Sequence, residues 1–125
     1  VEGVMEYGPI EVVSKLWGRE EIWLNELEYC FKVMTLHPGF TASEHYHRIK
    51  KETFIVRSGQ CFLWVKKRDK DCTYRLNEGD RITILPGQPH RFWLEKEAEA
   101  PCVIYEVSTH HSDDDTIRLE VSRQL

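Results

Sequence analysis

Short runs in which apolar and polar residues alternate recur along almost the whole chain, and no convincing long amphipathic helix interrupts them. That pattern predicts strands. Residues 10–17 and 22–24 read as two extended segments around a turn at Gly18-Arg19-Glu20. Residues 28–36 read as a strand with Tyr29, Phe31 and Val33 on one face. Glu28, Cys30, Lys32 and Met34 fall on the other, a mixed face expected to be half exposed. His37-Pro38-Gly39 supplies a turn before a strand over 40–47, and Ser58-Gly59 separates 52–57 from 60–67 as a tight hairpin. Further strands are expected over 72–76, 81–85, 90–94 and 103–107, with a last strand or short helix over 117–121. Around ten short strands at fairly regular spacing predict an all-β fold, a closed or nearly closed jelly-roll β-barrel whose inward side chains can line a cavity.

At 125 residues the chain has the size of one domain, read as spanning 1–125. Its 41% hydrophobic and 30% charged residues are ordinary for a soluble globular protein. No apolar run approaches a membrane span and no signal-peptide pattern opens the chain, which makes a cytoplasmic location the default expectation, although the chain begins at Val1 rather than at a methionine. A net charge of −4 argues against nucleic acid or an anionic membrane as partner. The basic clusters at 48–51 and 66–70 read as solvated turns. Cys30, Cys61, Cys72 and Cys102 form no CxxC pair and are expected to be buried thiols.

Candidate chemistry concentrates in residues 39–59. His45 and His47, two apart on a strand, aim both imidazoles to one face, and Glu52 follows on the next strand. His90 starts another strand after the turn Pro86-Gly87. Three imidazoles and a carboxylate suit a divalent metal ion such as Mn, Fe, Co, Ni or Zn better than Ca or Mg. Lys50 lies two residues before Glu52, either as a solvated turn lysine or as a cation with an anionic partner or a task. Glu106 sits in the apolar run 103–107, and an inward carboxylate there needs an ion-pair partner, a metal or a catalytic role. His37 reads as a turn residue, His110-His111 as loop or pocket rim, and Trp64, Phe92 and Trp93 as core packing.

Gly39, His45, His47, Glu52 and Gly59 match the first cupin motif in every spacing, and Gly79, Gly87 and His90 resemble the second. The second departs at two positions, with Leu85 where the family has proline and Leu94 where it has asparagine. Within the cupins, the stretch HYHRIKKETF and the segment EVSTHHSDDDTIR resemble the sugar isomerases of the D-lyxose isomerase type. The similarity to type II mannose-6-phosphate isomerases is looser, and WGRE at 17–20 resembles the phosphomannose isomerase cupins. The resemblance implies a cupin-type jelly-roll, with His45, His47, Glu52 and His90 as ligands of a divalent metal ion. It further implies Glu106 as the carboxylate that moves a proton, Lys50 as its acidic counterpart, a sugar or sugar phosphate as substrate, and a homodimer. Arg118 or the nearby basic turn is a candidate for meeting a phosphate. An O₂-dependent dioxygenase on the same ligands, or a sugar-binding module without catalysis, are the other readings that the fold admits.

Overall fold

The computed structural model of the protein describes residues 7–125, which form thirteen strands and one 3₁₀ turn. The strands are β1 (Glu11–Lys15), β2 (Gly18–Asn25), β3 (Cys30–Leu36), β4 (Phe40–Thr41), β5 (Glu44–His47), β6 (Glu52–Ser58) and β7 (Gln60–Lys67). They continue with β8 (Lys70–Asn77), β9 (Arg81–Ile84), β10 (His90–Leu94), β11 (Cys102–Ser108), β12 (Thr116–Glu120) and β13 (Arg123–Gln124), the 3₁₀ turn at Asp113–Asp115 leading into β12. Two antiparallel sheets result. One runs β1-β2-β3-β11-β6-β9; in the other β10 pairs with β4 and β5 on one side and with β7 on the other, β8 lies beyond β7, and β12 and β13 flank β5 and β4. The architecture is the expected jelly-roll β-barrel.

The core lies where the inner faces of the sheets meet, with Leu36, Phe54, Val56, Leu63, Val65 and Ile104 almost wholly removed from solvent. Each such side chain contributes about 1.5–3 kcal/mol relative to exposure. This apolar half of the barrel holds the strands in register, and the other half is free to carry polar groups.

Four local expectations change. The turn of the first hairpin is Leu16-Trp17, and Gly18 already belongs to β2, facing Leu36. Glycine is required there because a Cβ would sit 1.8 Å from the Thr35 carbonyl oxygen. Ser58-Gly59 is not a hairpin: β6 pairs with β9 and β11, β7 with β8 and β10, so the chain crosses from one sheet to the other at Gly59. Its φ of +76° and the Pro101 carbonyl oxygen 2.6 Å from any added Cβ reserve that corner for glycine. On β3 the inner face is the mixed one, Cys30, Lys32, Met34 and Leu36, while Phe31 points outward in an edge-to-face row with Trp23 and Tyr105. Phe92 is core, but Trp93 stacks on Phe62 and Trp64 is only partly buried. Cys30, Cys61 and Cys102 are buried free thiols, and Cys72 is half-buried. Among the described residues, no helix is long and apolar enough to cross a membrane.

Candidate metal centre and its charged wall

The stretch 40–47 breaks into β4 and β5, and Ala42-Ser43 between them leaves β5 free to lie against β10 with His45 opposite His90. His45 and His47 project to the same inner face. The Gly87 N–H donates to the His47 carbonyl over 2.6 Å, which anchors the Pro86-Gly87 turn that delivers His90. The three imidazoles cluster with ring centroids 4.6, 5.0 and 5.9 Å apart, and their candidate ligand atoms lie within 4.8 Å of one another.

Each ring is held through Nδ1. That of His90 donates to the Gln88 carbonyl (2.9 Å), that of His45 lies 3.0 Å from Ser43 Oγ, and that of His47 lies 3.1 Å from Thr116 Oγ1. Holding one ring nitrogen leaves Nε2 as the metal-facing atom and fixes the ring's orientation. Burial, with the neighbouring imidazoles, pushes His45 down to about 3, and burial also lowers His90, so both offer a lone pair at neutral pH.

Glu52, at the start of β6, comes from the opposite sheet with 1% exposure. Its Oε2 lies 3.2 Å from His47 Nε2 and 3.4 Å from His90 Nε2, yet neither carboxylate oxygen, nor His90 Nε2, makes a well-directed hydrogen bond. Burial opposes ionisation, but His47 and then Lys50 outweigh it and hold this carboxyl at about 2. A buried carboxylate and an imidazole nitrogen without hydrogen bonds, converging with two further imidazoles, fit a divalent cation in donor type and number. The histidine cluster is able to bind a metal ion.

Beyond Glu52 the six-stranded sheet carries a row of alternating charges. Lys50 Nζ lies 3.7 Å from Glu52 Oε1 and donates to Glu106 Oε2 over 3.0 Å. Glu106, on β11, is directly opposite Lys32 on β3, and Lys32 Nζ meets Glu20 Oε1 on β2 at 2.6 Å. Lys50 is 2% exposed, Lys32 and Glu106 4% each. Such burial is tolerable because each charge is flanked by its opposite. Burial, then Glu52, raise Glu106 above the usual carboxylate range against the pull of Lys50 and Lys32. The two carboxylates keep Lys50 raised and charged in spite of its burial.

All six residues singled out from sequence, His45, His47, Lys50, Glu52, His90 and Glu106, line one cavity of about 150 Å³. Glu106 faces inward and Lys50 is no solvated turn residue. Lys32 and Glu20 line the same cavity, as does His111, whose Nδ1 lies 3.0 Å from Lys50 Nζ and whose Nε2 lies 2.9 Å from Asp113 Oδ1. Burial, with Lys32 and Lys50 nearby, lowers His111 to about 4, so Nδ1 accepts from the ammonium and Nε2–H donates to Asp113. Arg118 is exposed on β12 opposite His45, at the cavity's edge.

Residues 32–108 match the Cupin domain family. D-lyxose/D-mannose isomerase of Thermosediminibacter oceani is 29% identical over 119 residues, a match that covers 77% of this chain and 64% of that protein. Mannose-1-phosphate guanylyltransferase RfbM of Salmonella typhimurium is 32% identical over 119 residues, covering 92% of this chain and 23% of that protein. The chain therefore spans only part of each relative. Capsular polysaccharide assembling protein CapF from Staphylococcus aureus shares the fold with a TM-score of 0.78 at 21% identity, over 90% of this chain and 35% of that one. A variant of oxalate decarboxylase OxdC from Bacillus subtilis does so with a TM-score of 0.78 at 18% identity, over 88% and 30%. With its central strands and both histidine-bearing motifs inside the matched span, the chain belongs to the cupin family.

Proposed function

We propose that the protein is a metal-dependent sugar isomerase that interconverts an aldose and a ketose, with His45, His47, Glu52 and His90 as metal ligands and Lys50 and Glu106 as the proton-transfer pair. The observation that carries this reading is the buried Lys50–Glu106 contact of 3.0 Å in the same cavity as the histidine cluster. Proton transfer between carbon and oxygen centres needs a base and an acid side by side, and this pair offers both. The similarity to a D-lyxose/D-mannose isomerase supports the same class.

A divalent ion bound by the four ligands would polarise the sugar's carbonyl oxygen. The remaining chemistry falls to the chain's own residues. Isomerisation takes a proton from C2, returns one to C1, and moves a proton between O2 and O1. Glu106 is the base for the carbon-bound proton, because burial makes its carboxylate more basic than an exposed one, and it returns that proton to the neighbouring carbon. Lys50, kept as an ammonium, donates to the oxygen on which negative charge develops and recovers the proton from the other oxygen. Trp17, Phe54 and Phe92 line the apolar side of the cavity and exclude water from these transfers. A sugar or sugar phosphate is the substrate class, and Arg118 at the edge is the residue available to a phosphate.

The test is proton NMR of the Mn-loaded protein with a panel of aldoses and aldose phosphates in D₂O. Ketose signals and loss of the C2 proton, both abolished by chelation, are the expected result. No exchange with any sugar in protein that retains its metal would overturn the isomerase reading, and oxygen consumption with an organic substrate would replace it with a dioxygenase.

A further inference from the structure

The acidic run Asp113-Asp114-Asp115 takes no part in the proton transfers above, yet two of its three carboxylates reach back to the site. Asp115 Oδ1 accepts hydrogen bonds from the backbone N–H groups of Arg48 (3.0 Å) and Ile49 (2.9 Å), and Oδ2 accepts from that of Lys50 (3.0 Å). The Arg48 N–H also reaches the Asp115 carbonyl at 3.2 Å. Three consecutive amides converging on one carboxylate form an anion nest that the chain fills with its own side chain.

The flanks of this turn are tied elsewhere, the Gly87 N–H donating to the His47 carbonyl, the Lys51 N–H to Thr109 Oγ1 and the Thr109 N–H to the Lys51 carbonyl, but the amides of residues 48–50 have Asp115 alone. Arg48 is exposed and Ile49 is 80% exposed, so no side-chain packing fixes the backbone from which Lys50 enters the cavity. The head of Lys50 is held by Glu106 and by His111, the latter backed by Asp113 at 2.9 Å. Its base is held by Asp115. The residue after Asp115, Thr116, pairs with His47 and bonds its ring, so the grip on the lysine turn is anchored on a strand that is itself registered to a metal-candidate strand.

We infer that Asp115 is a positioning residue: its carboxylate, through the amides of residues 48–50, sets where the Lys50 ammonium stands in the cavity, and it acts on the reaction only through Lys50. The kinetic consequence rests on the isomerase reading; the positional one does not.

The experiment compares wild type with Asp115→Ala and Asp115→Asn, with Asp114→Ala on the exposed neighbour as control. Each protein is loaded with Mn for kinetics and left metal-free for ¹⁵N-lysine NMR. In wild type the buried Lys50 ammonium should give a slowly exchanging signal, and in Asp115→Ala it should broaden or shift while the signals of exposed lysines stay. The kcat of Asp115→Ala should fall roughly tenfold to a hundredfold, the range for a displaced positioning group, with KM and Mn content within about twofold. Asp115→Asn keeps one acceptor oxygen, should fall between the two, and decides the matter if the alanine variant does not fold. In a Lys50→Met background, Asp115→Ala should cost no further rate, whereas a merely structural role would add its cost again. An unchanged Lys50 signal in the variant, or an additive double mutant, would overturn the inference. A displaced Lys50 signal in a protein whose wild type turns over no sugar would leave the positioning intact and remove the isomerase reading instead.

Discussion

On the seven-stranded wall of the cavity, β5 and β10 present three imidazoles, each ring held by a nearby oxygen. On the six-stranded wall, β2, β3, β6 and β11 with the turn before β6 present Glu20, Lys32, Glu106, Lys50 and Glu52 as a row of alternating charges. The difference follows from what burial costs. A neutral imidazole loses little in a dry site and keeps a lone pair for a cation. A full charge loses a great deal unless an opposite charge stands near it, so the second wall alternates in sign. Under the proposed isomerase reading, metal capture falls to one wall and proton transfer to the other, with Glu52 as the residue that touches both.

That division can be broken from either side. The largest effect should come from the imidazole wall: His90→Ala removes a ligand, and Mn retained after desalting, measured by elemental analysis, should fall with affinity on the order of a hundredfold or more. Isomerisation should vanish with it. Chelation of the wild type should do the same, reversibly on adding metal back.

The charged wall should answer in stability instead. Lys32→Met leaves Glu20 only the more distant Lys15, 3.8 Å away, and removes one flank of Glu106, and denaturant unfolding of the metal-free protein should show a loss of about 3 kcal/mol, typical of breaking a buried pair from one side. Glu20→Gln combined with Lys32→Met should recover part of it, because no stranded carboxylate remains beside β3. If the single variant were as stable as wild type, Lys32 would not support the carboxylates on either side of it.

Thr116→Val sharpens the first wall. It removes the oxygen 3.1 Å from His47 Nδ1 while keeping the shape, and metal affinity by titration should weaken about tenfold, the lower end for loss of a partner that orients a ligand. Unfolding stability should hardly change.

The smallest effect is in acid. Burial alone would raise the Glu20 carboxyl, but Lys32, with Lys15 contributing less, outweighs it and leaves Glu20 below its ordinary 4.5. A carboxylate depressed on folding stabilises the protein above its unfolded value and loses that stabilisation as pH falls through the folded one. Metal-free wild type should therefore lose more stability below pH 4.5 than the Glu20→Gln/Lys32→Met double variant does.

The imidazole wall was legible in the sequence because its signals are local. A two-residue period puts His45 and His47 on one face, and spacing and turn residues mark Glu52 and His90. Beyond Glu52, the charged wall was legible only at Lys50 and Glu106, beside the motif or inside an apolar run. The alternation puts Lys32 on a half-exposed face because Tyr29, Phe31 and Val33 form the more apolar side of its strand. Which side is inner is decided by Glu20 on β2 and Glu106 on β11, partners remote in sequence. Gly59 teaches the same lesson. Ser-Gly between two strands looks like a hairpin, and only the remote pairings of β6 with β9 and β11 and of β7 with β8 and β10 show that the chain changes sheets there. His111 was legible only as a loop or pocket-rim residue, since its task depends on Lys50 and Asp113 both arriving at its ring.

The division between the walls is tested most directly on one sample of Glu106→Gln, loaded with Mn, by measuring its metal content and its rate of C2-proton loss in D₂O with the best aldose substrate of the wild type. Full metal content within about threefold of wild-type affinity, with exchange slowed by about 10²–10⁴, is the predicted result. Exchange at the wild-type rate with the metal in place, or loss of the metal together with the exchange, would contradict it.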